Sequence, residues 1–198
     1  MIVCELRDRK KQLTAVIFSD GSEFLLDREF VLENIKVGQE IEDIDELVYQ
    51  SDFKRAKARS LWYLTRSDHS QKLLYDKLIR GGFSKKACQD AVARMIELGL
   101  VDDEVYAKRL ADSLKNSGAS NREIEYKLIL KGVPVNLAKE LTSERHDECQ
   151  RIKYLLEHKF ESKLSTEEGI KKVFAALMRK GFSPSDIRSA LKEYCEEE

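Results

Sequence analysis

The sequence of 198 residues predicts a mainly α-helical protein, with tandem three-helix (helix-turn-helix-like) repeats in an elongated array and a small N-terminal β-hairpin-containing segment. One motif occurs at 74–84, 124–134 and 173–183, a period of about 50 residues that is typical of stacked helical units. Charged residues make up 36% of the chain, with only two prolines and nine glycines. That balance suits solvated helices with narrow apolar stripes.

Each copy of the motif predicts the end of one helix and the start of the next. Two apolar residues four positions apart precede a glycine, a large apolar residue, and Ser or Pro. Glycine suits a helix C-terminal cap, the apolar residue a buried anchor, and Ser or Pro a helix start. The last leucines are Leu78, Leu128 and Leu177, the anchors are Phe83, Val133 and Phe182, and the small or apolar residues five positions further on are Cys88, Ala138 and Ile187. We expect all nine side chains to be buried at equivalent core positions.

Residues 1–50 predict a β-containing extension. Residues 12–18 and 23–26 are rich in strand formers, and Asp20-Gly21 between them indicates a hairpin. Because a lone hairpin is only marginally stable in water, we expect residues 2–6 to add a third strand.

A short helix is predicted over residues 27–34, and the acidic stretch 40–46 fits either a linker or a helix start. The helical period then continues to the C-terminus and predicts nine helices in three repeats. The predicted repeats cover residues 51–99, 100–145 and 146–198.

Capping residues predict where several of these helices begin. Ser120 and Ser165 each open a capping-box pattern, and Ser183 precedes a proline at the first helical position.

Apolar spacing predicts which side chains face the core. The first helix of repeat 1 is expected to bury Phe53, Ala58, Leu61, Trp62 and Leu64, and repeat 2 is expected to bury Val105.

Composition indicates a cytoplasmic protein. No apolar run reaches the ~18 residues that a membrane span needs, and the first residues lack a signal-peptide core. The four cysteines, Cys4, Cys88, Cys149 and Cys195, lie far apart without a C-x-x-C pair. Disulfides or zinc are possible, but buried reduced thiols are favoured.

The sequence offers little for catalysis, so we expect no enzyme, no cofactor and no metal. His69, His146 and His158 lack metal-ligand spacing, and the phosphate-binding loop G-x-x-x-x-G-K-[ST] is absent. Gly81-Gly82 could resemble a nucleotide loop, although its repeated context favours a helix cap. Asp102-Asp103 could pair on a metal, although capping a helix is the favoured interpretation.

Charge is the better indication of function. Residues 1–51 carry 6 basic and 12 acidic side chains (net −6), whereas residues 52–94 carry 11 basic and 4 acidic (net +7), in a chain of net charge −1. This block could contact phosphates or an acidic protein groove, or its charges could simply solvate helix faces. The candidate filament- or DNA-binding residues are Arg55, Lys57, Arg59, Arg66, Lys72, Lys77, Arg80, Lys85 and Lys86. Trp62-Tyr63 could stack on bases, although core packing is favoured.

The pattern A-x-x-L-x-Y-L-x-R-x-x-H-S, which starts at Ala58 and is followed by Lys77-Leu78, resembles the opening signature of the RecX family of bacterial RecA regulators. Residues 99–107 and 128–133 are similar to its second and third signatures, and the resemblance covers residues 52–195. Two positions depart from the family pattern. Leu73 stands where Glu is usual, and the turn before Ile124 reads Gly118-Ala-Ser-Asn.

The resemblance implies a non-enzymatic modulator in DNA recombination and repair. Similar proteins bind in the groove of RecA filaments on single-stranded DNA and curb filament growth, ATP hydrolysis and strand exchange. The partner implied is therefore the RecA recombinase filament, with single- or double-stranded DNA as a further candidate partner, and a monomer is expected. Two other classes stay open. One is a nucleic-acid-binding helical module without a recombinase partner, and the other is an adaptor that binds protein alone.

Overall fold

The N-terminal segment is a three-stranded antiparallel sheet followed by a short helix. The computed structural model describes residues 1–143 and 145–197, and side chains at 1–143 and 148–194. Strands β1 (Val3–Arg9), β2 (Leu13–Phe18) and β3 (Glu23–Asp27) lie in the order β1-β2-β3. The hairpin that joins β2 to β3 turns at Gly21, which has φ +84°. The predicted hairpin and third strand are therefore confirmed.

Helices α1 (Arg28–Asn34) and α2 (Ile44–Leu64) cover one face of this sheet. Val16 and Phe18 of the sheet pack with Val31 of α1, and Leu47 of α2 packs against the same cluster. The Asp27 amide also donates to the Ser51 hydroxyl of α2, at 2.7 Å. Helix α2 thus begins seven residues before the predicted repeat and runs through residue 50, joining the β segment to repeat 1.

Within the part of the chain that the structure describes, the nine α-helices from α2 onwards follow the predicted three-by-three order. In the described residues, repeat 1 consists of α2, α3 (Gln71–Arg80) and α4 (Lys85–Glu97); repeat 2 of α5 (Asp103–Asn116), α6 (Asn121–Leu130) and α7 (Val135–Glu140); repeat 3 of α8 (Arg145–Leu155), α9 (Glu167–Arg179) and α10 (Pro184–Glu197). A π-helical turn (Leu156–Phe160) and a 3₁₀ turn (Glu161–Lys163) extend the connection from α8 to α9. The chain divides into two compact units, unit 1 (Met1–Asp102) and unit 2 (Asp103–Glu198).

The repeated motif is a helix-ending turn of one geometry in all three repeats. Gly82, Gly132 and Gly181 have φ of +86°, +92° and +94°. In each copy the anchor's amide donates to the carbonyl of the last leucine, for example from Val133 to Leu128 at 3.1 Å. This is the Schellman arrangement, in which a left-handed glycine lets the next apolar residue fold back over the helix. All three leucines, all three anchors, and Cys88, Ala138 and Ile187 are buried, as predicted.

Capping side chains define most of the predicted helix starts. Ser120 Oγ accepts from the Glu123 amide at 3.1 Å, and Ser183 Oγ accepts from the Asp186 amide at 3.1 Å. The prediction at Ser165 is wrong by one residue. Thr166 caps α9 instead, and its Oγ1 accepts from the Gly169 amide at 3.1 Å.

The predicted apolar face of α2 is correct for Phe53 and Leu64, which are half-buried and pack against the core of repeat 1, but wrong for the other three residues. Ala58, Leu61 and Trp62 are exposed, whereas the side chains buried on this helix are those of Ser51, Ala56 and Ser60. Small residues suit the closely packed side of a helix, and the Ser60 hydroxyl satisfies itself by donating to the Ala56 carbonyl at 2.8 Å. Val105 is likewise exposed rather than inward-facing.

Repeats 2 and 3 meet at a closely fitted junction inside unit 2. The buried Arg151 of α8 donates to the Ala119 carbonyl at 2.9 Å, and Ser120 Oγ donates to the Lys180 carbonyl at 2.6 Å. A Cβ on Gly181 would lie 2.9 Å from Ser120 Oγ, and one on Gly118 would lie 2.9 Å from Leu155 Cδ2. A side chain at either glycine would therefore force a neighbouring side chain to shift, in addition to the strain of the positive φ.

The equivalent burial of the three leucines predicts similar sensitivity to truncation. We expect Leu128→Ala to lower the free energy of unfolding by about 2–5 kcal/mol, because it removes buried methyl groups and leaves a cavity. Leu130, two residues away and 59% exposed, provides the control, and Leu130→Ala should change that free energy by about 0.5 kcal/mol or less. Urea titration followed by circular dichroism measures both. Equal effects would contradict the assigned helix register.

The cysteines differ in environment. Cys88 is buried in the core of repeat 1, Cys4 is exposed and Cys149 is half-buried, so the expectation of buried thiols holds fully only for Cys88. These three are free thiols, and the side chain of Cys195 lies outside the described residues. Burial, together with the nearby Asp52 charge, raises the pKa of Cys88 from 9.0 to about 11.

We expect Cys88 to be inert towards a thiol reagent at neutral pH, because the thiolate is the reactive form. Cys4 should label rapidly in the native protein and Cys88 only after denaturation, as peptide mapping can show. The thiol of Cys88 ionises at a lower pH in the unfolded chain than in the folded protein. Its contribution to the free energy of unfolding is therefore fully present below pH 9.0 and is lost as the pH rises towards 11. Labelling of Cys88 at the rate of Cys4 would show that this core opens readily.

Candidate functional site

The described side chains include no group of three or more His, Cys, Asp or Glu that could hold a metal. His69 is buried, with Nδ1 2.7 Å from the Ser67 carbonyl, and His158 stacks on Tyr154 at 4.2 Å between ring centroids. The side chain of His146 lies outside the described part. Among the described helices, none has both the length and the apolar character of a membrane span. Asp103 is the first residue of α5, which fits the favoured capping interpretation.

Part of the basic block is neutralised inside unit 1. Lys54 Nζ lies 3.0 Å from the Glu33 carboxylate and 3.5 Å from that of Glu29, and the hydrogen bond to Glu33 raises the pKa of Lys54. Lys86 Nζ lies 4.0 Å from the Glu46 carboxylate. The acidic N-terminal segment therefore reduces the positive charge on its own side of α2 and α4.

A different face of α2 keeps its positive charge. Arg55, Arg59, Trp62 and Arg66 follow one another at intervals of three or four residues, so they form one stripe along the helix and its C-terminal end. The Trp62 ring centroid lies 5.3 Å from Arg59 Cζ and 3.5 Å from Arg66 Cζ, within the range of cation–π attraction. Two arginines thus flank one exposed indole.

The end of α3 extends this stripe. Tyr63 packs edge-on against Trp62, with ring centroids 5.2 Å apart, and Lys77 Nζ lies 4.8 Å from the Tyr63 ring centroid. A shallow pocket of about 310 Å³ is lined by Tyr63, Lys77, Arg80 and Gly81. Together these side chains form what we call the Arg–Trp surface. It consists of Arg55, Arg59, Trp62, Tyr63, Arg66, Lys77 and Arg80.

Arg55 differs from the other cations of the Arg–Trp surface because it contacts Asp52 and Phe83 inside unit 1. Its guanidinium lies 5.1 Å from the centroid of the Phe83 ring and 3.5 Å from the Asp52 carboxylate, so it also links α2 to the turn before α4. By contrast, within the described residues the side chains of Arg59, Arg66, Lys77 and Arg80 form no ion pair. Four cations are therefore left for an external anion.

The remaining four candidate residues have other neighbours. Lys57 lies over Phe53, 5.5 Å from Nζ to ring centroid, and Lys86 lies over Tyr49 at 3.9 Å. Lys72 lines a separate groove that also contains Tyr75. Lys85 is exposed at the first position of α4. The structure thus brings four of the nine predicted residues next to Trp62 or Tyr63, namely Arg59, Arg66, Lys77 and Arg80, with Arg55 one turn before Arg59 on α2. The binding role of all nine stays a prediction.

Sequence reasoning misplaced Trp62, the central side chain of this surface. It favoured core packing, whereas the indole is 44% exposed. The spacing of Arg59 and Arg66, three residues before and four residues after Trp62, was the available signal, because these positions share its helix face. Arginine next to an exposed indole suits phosphates and bases, since guanidinium groups bind phosphate bidentately and aromatic rings stack on bases.

Comparison with known proteins agrees with this architecture. Family models described as "RecX, third three-helix domain" and "RecX, first three-helix domain" match residues 146–191 and 56–95. The regulatory protein RecX of Caldanaerobacter subterraneus subsp. tengcongensis is 29% identical over 96% of this chain and 98% of its own. That of Prosthecochloris aestuarii is 32% identical over 72% of this chain and 95% of its own.

Two crystal structures have the same fold. One, of a regulatory protein RecX, aligns over 97% of this chain and 98% of its own with a TM-score of 0.66 and 18% identity. RecX from Lactobacillus salivarius aligns over 72% of this chain and 96% of its own with a TM-score of 0.63 and 22% identity.

The fold defines a tandem three-helix repeat protein with a small β segment in front. The relatives that share this architecture are regulatory proteins, which supports a regulatory role for this chain. The chain belongs to the RecX family.

Trp62 is the single tryptophan of the chain and therefore reports directly on the Arg–Trp surface. We expect a single-stranded oligonucleotide to quench its fluorescence, because a base that stacks on the indole contacts it directly. The effect should weaken as salt is added, since phosphate contacts release counterions. Oligonucleotide binding detected by anisotropy without any change in Trp62 emission would place the contact elsewhere.

Proposed function

We propose that this protein is a non-enzymatic regulator that binds the RecA recombinase filament on single-stranded DNA and inhibits its assembly, ATPase activity and strand exchange. The observation that carries the proposal is the Arg–Trp surface, where Arg59 and Arg66 flank the exposed Trp62 indole and Lys77 and Arg80 lie beside the neighbouring Tyr63. Membership of the RecX family supports it, because resemblance to that family implies the recombinase as partner. The setting is the cytoplasm, where such filaments form.

A filament on single-stranded DNA suits this surface chemically. It presents a closely spaced row of phosphates together with bases, and arginine and tryptophan can engage both. Binding alone is sufficient for regulation, since a protein that holds one filament state shifts the equilibrium by its difference in affinity for the two states. The regulator therefore needs contacts that are stronger in the state it favours, and no chemical step of its own.

The second candidate is a nucleic-acid-binding helical module that has no recombinase partner. Exposure of Trp62 favours it to the same degree, because stacking on bases requires only the nucleic acid. The two functions differ in one respect that can be measured. A module of this kind competes with recombinase for DNA, so its effect disappears when DNA is in large excess, whereas a filament-binding regulator still acts.

The decisive experiment measures recombinase ATPase on excess single-stranded DNA while this protein is titrated in. We expect inhibition by the native chain and markedly weaker inhibition by the double variant Arg59→Glu/Arg66→Glu, because the reversed charges repel phosphate. Arg55 is left unchanged, since its contacts with Asp52 and Phe83 help to hold unit 1 together.

The matched control is Lys10→Glu/Lys36→Glu, which changes the net charge by the same amount at exposed positions of unit 1 outside the nine candidate residues. Neither lysine forms an ion pair within the described residues, so the control should fold well. If both variants lost the same amount of inhibition, the effect would come from net charge and not from the Arg–Trp surface. Native protein without any effect on ATPase activity or strand exchange would overturn the proposed function.

A further inference from the structure

Unit 2 contains an open groove of about 550 Å³ where repeats 2 and 3 meet. Its walls are the first turns of α6, with Arg122 and Tyr126, and the C-terminal end of α9, with Met178, Arg179 and Lys180. The hydrogen bond from Ser120 Oγ to the Lys180 carbonyl (2.6 Å) and the absence of a side chain at Gly181 bring the two walls together. We call this the Tyr126 groove.

The Tyr126 groove is positively charged. Arg122 and Arg179 are exposed and Lys180 is half-buried, and within the described residues none of these side chains forms an ion pair. The one acidic residue of the lining, Glu123, is paired with Lys127 at 2.6 Å. Three cations thus face the groove with one neutralised carboxylate.

Helix stability does not account for all of these charges. Arg179 and Lys180 lie at the C-terminal end of α9, where the helix dipole favours cations. Arg122, however, lies in the first turn of α6, where the same dipole disfavours a cation. Its position beside the other two is therefore better explained by a ligand anion than by folding.

Tyr126 supplies a second, independent observation. Its side chain is 67% exposed, and in the described part of the chain it makes no hydrogen bond and no contact with another ring. Met178 beside it is 40% exposed. A large aromatic ring stabilises a fold by being buried, so an exposed ring among cations suits stacking on a flat partner.

We infer that the Tyr126 groove is a second binding site, and that its ligand is single-stranded nucleic acid. Tyr126 stacks on a base, while Arg122, Arg179 and Lys180 hold the phosphates on either side. An acidic peptide fits less well, because peptide anchors are held in enclosed apolar pockets, whereas the apolar surface here is one open ring and one thioether. The site belongs to unit 2, whereas the Arg–Trp surface belongs to unit 1, and it needs no recombinase.

A relocated tryptophan tests this site alone. The full chain with Trp62→Phe and Tyr126→Trp has its single indole in the Tyr126 groove. We expect oligothymidylate to quench this indole in the absence of recombinase, and poly-glutamate at the same charge concentration to leave it unchanged. Absence of quenching at low salt overturns the inference, and quenching by poly-glutamate but not by oligothymidylate assigns the groove to an acidic protein.

Charge removal provides the second measurement. Arg122→Gln/Arg179→Gln in the same background should weaken quenching and reduce the magnitude of the log–log salt slope by up to about 1.4, at ~0.7 for each lost phosphate contact. The matched control is Lys108→Gln/Lys139→Gln, which removes the same charge from exposed positions of unit 2 outside the groove. Equal losses of quenching in both variants would contradict a binding site in the Tyr126 groove. Because this assay contains no recombinase, a negative result here is distinguishable from failure of the proposed function, which the ATPase experiment tests.

Discussion

The left-handed glycine that ends the second helix of each repeat is the constraint on which the rest of the structure depends. At Gly82, Gly132 and Gly181 the chain reverses, so that the following residue can fold back onto the last leucine. A residue with a side chain is strained in this conformation by roughly 1–2 kcal/mol. The same requirement for glycine occurs once in each of the three repeats. The anchor then fixes where the third helix starts, so one local geometry sets the packing of each repeat.

The same turns also position the candidate binding side chains. Arg80 immediately precedes the turn of repeat 1, and Lys180 immediately precedes Gly181 in repeat 3. A residue at the end of a helix has a carbonyl-rich, negative neighbourhood, where cations are favoured. The helix end therefore stabilises basic side chains at the rim of each surface, and the turn beside them leaves open space for a ligand.

Features governed by local sequence could be predicted, whereas those governed by packing could not. Ser120 and Ser183 were recognisable as caps because a cap involves residues only three positions apart. The exposed side of α2 could not be recognised from periodicity, because its buried side contains the polar Ser51 and Ser60. Serine can be buried there because its hydroxyl finds a partner, and counting apolar residues does not reveal such partners.

The candidate sites follow the same division. The positive charge of residues 52–94 was evident from composition, but its separation into neutralised and available cations depends on contacts such as Lys54 with Glu33, which lie far apart in sequence. The Tyr126 groove was not predicted at all. It is formed by side chains from two repeats, and only the meeting of α6 with α9 brings them to one place.

The junction of Ser120 with Gly181 has a consequence for how unit 2 unfolds. In repeat proteins, cooperativity comes from the coupling between neighbouring units, so a strong interface makes two repeats open as a single foldon. Such an interface is provided by the buried Arg151, which donates to the Ala119 carbonyl. It is also provided by the close packing at Gly118 and Gly181, where the absence of a side chain lets the two repeats approach each other. Amide protons of α6 and α9 should then exchange with solvent through one shared opening event, and weakening the interface would separate it into two.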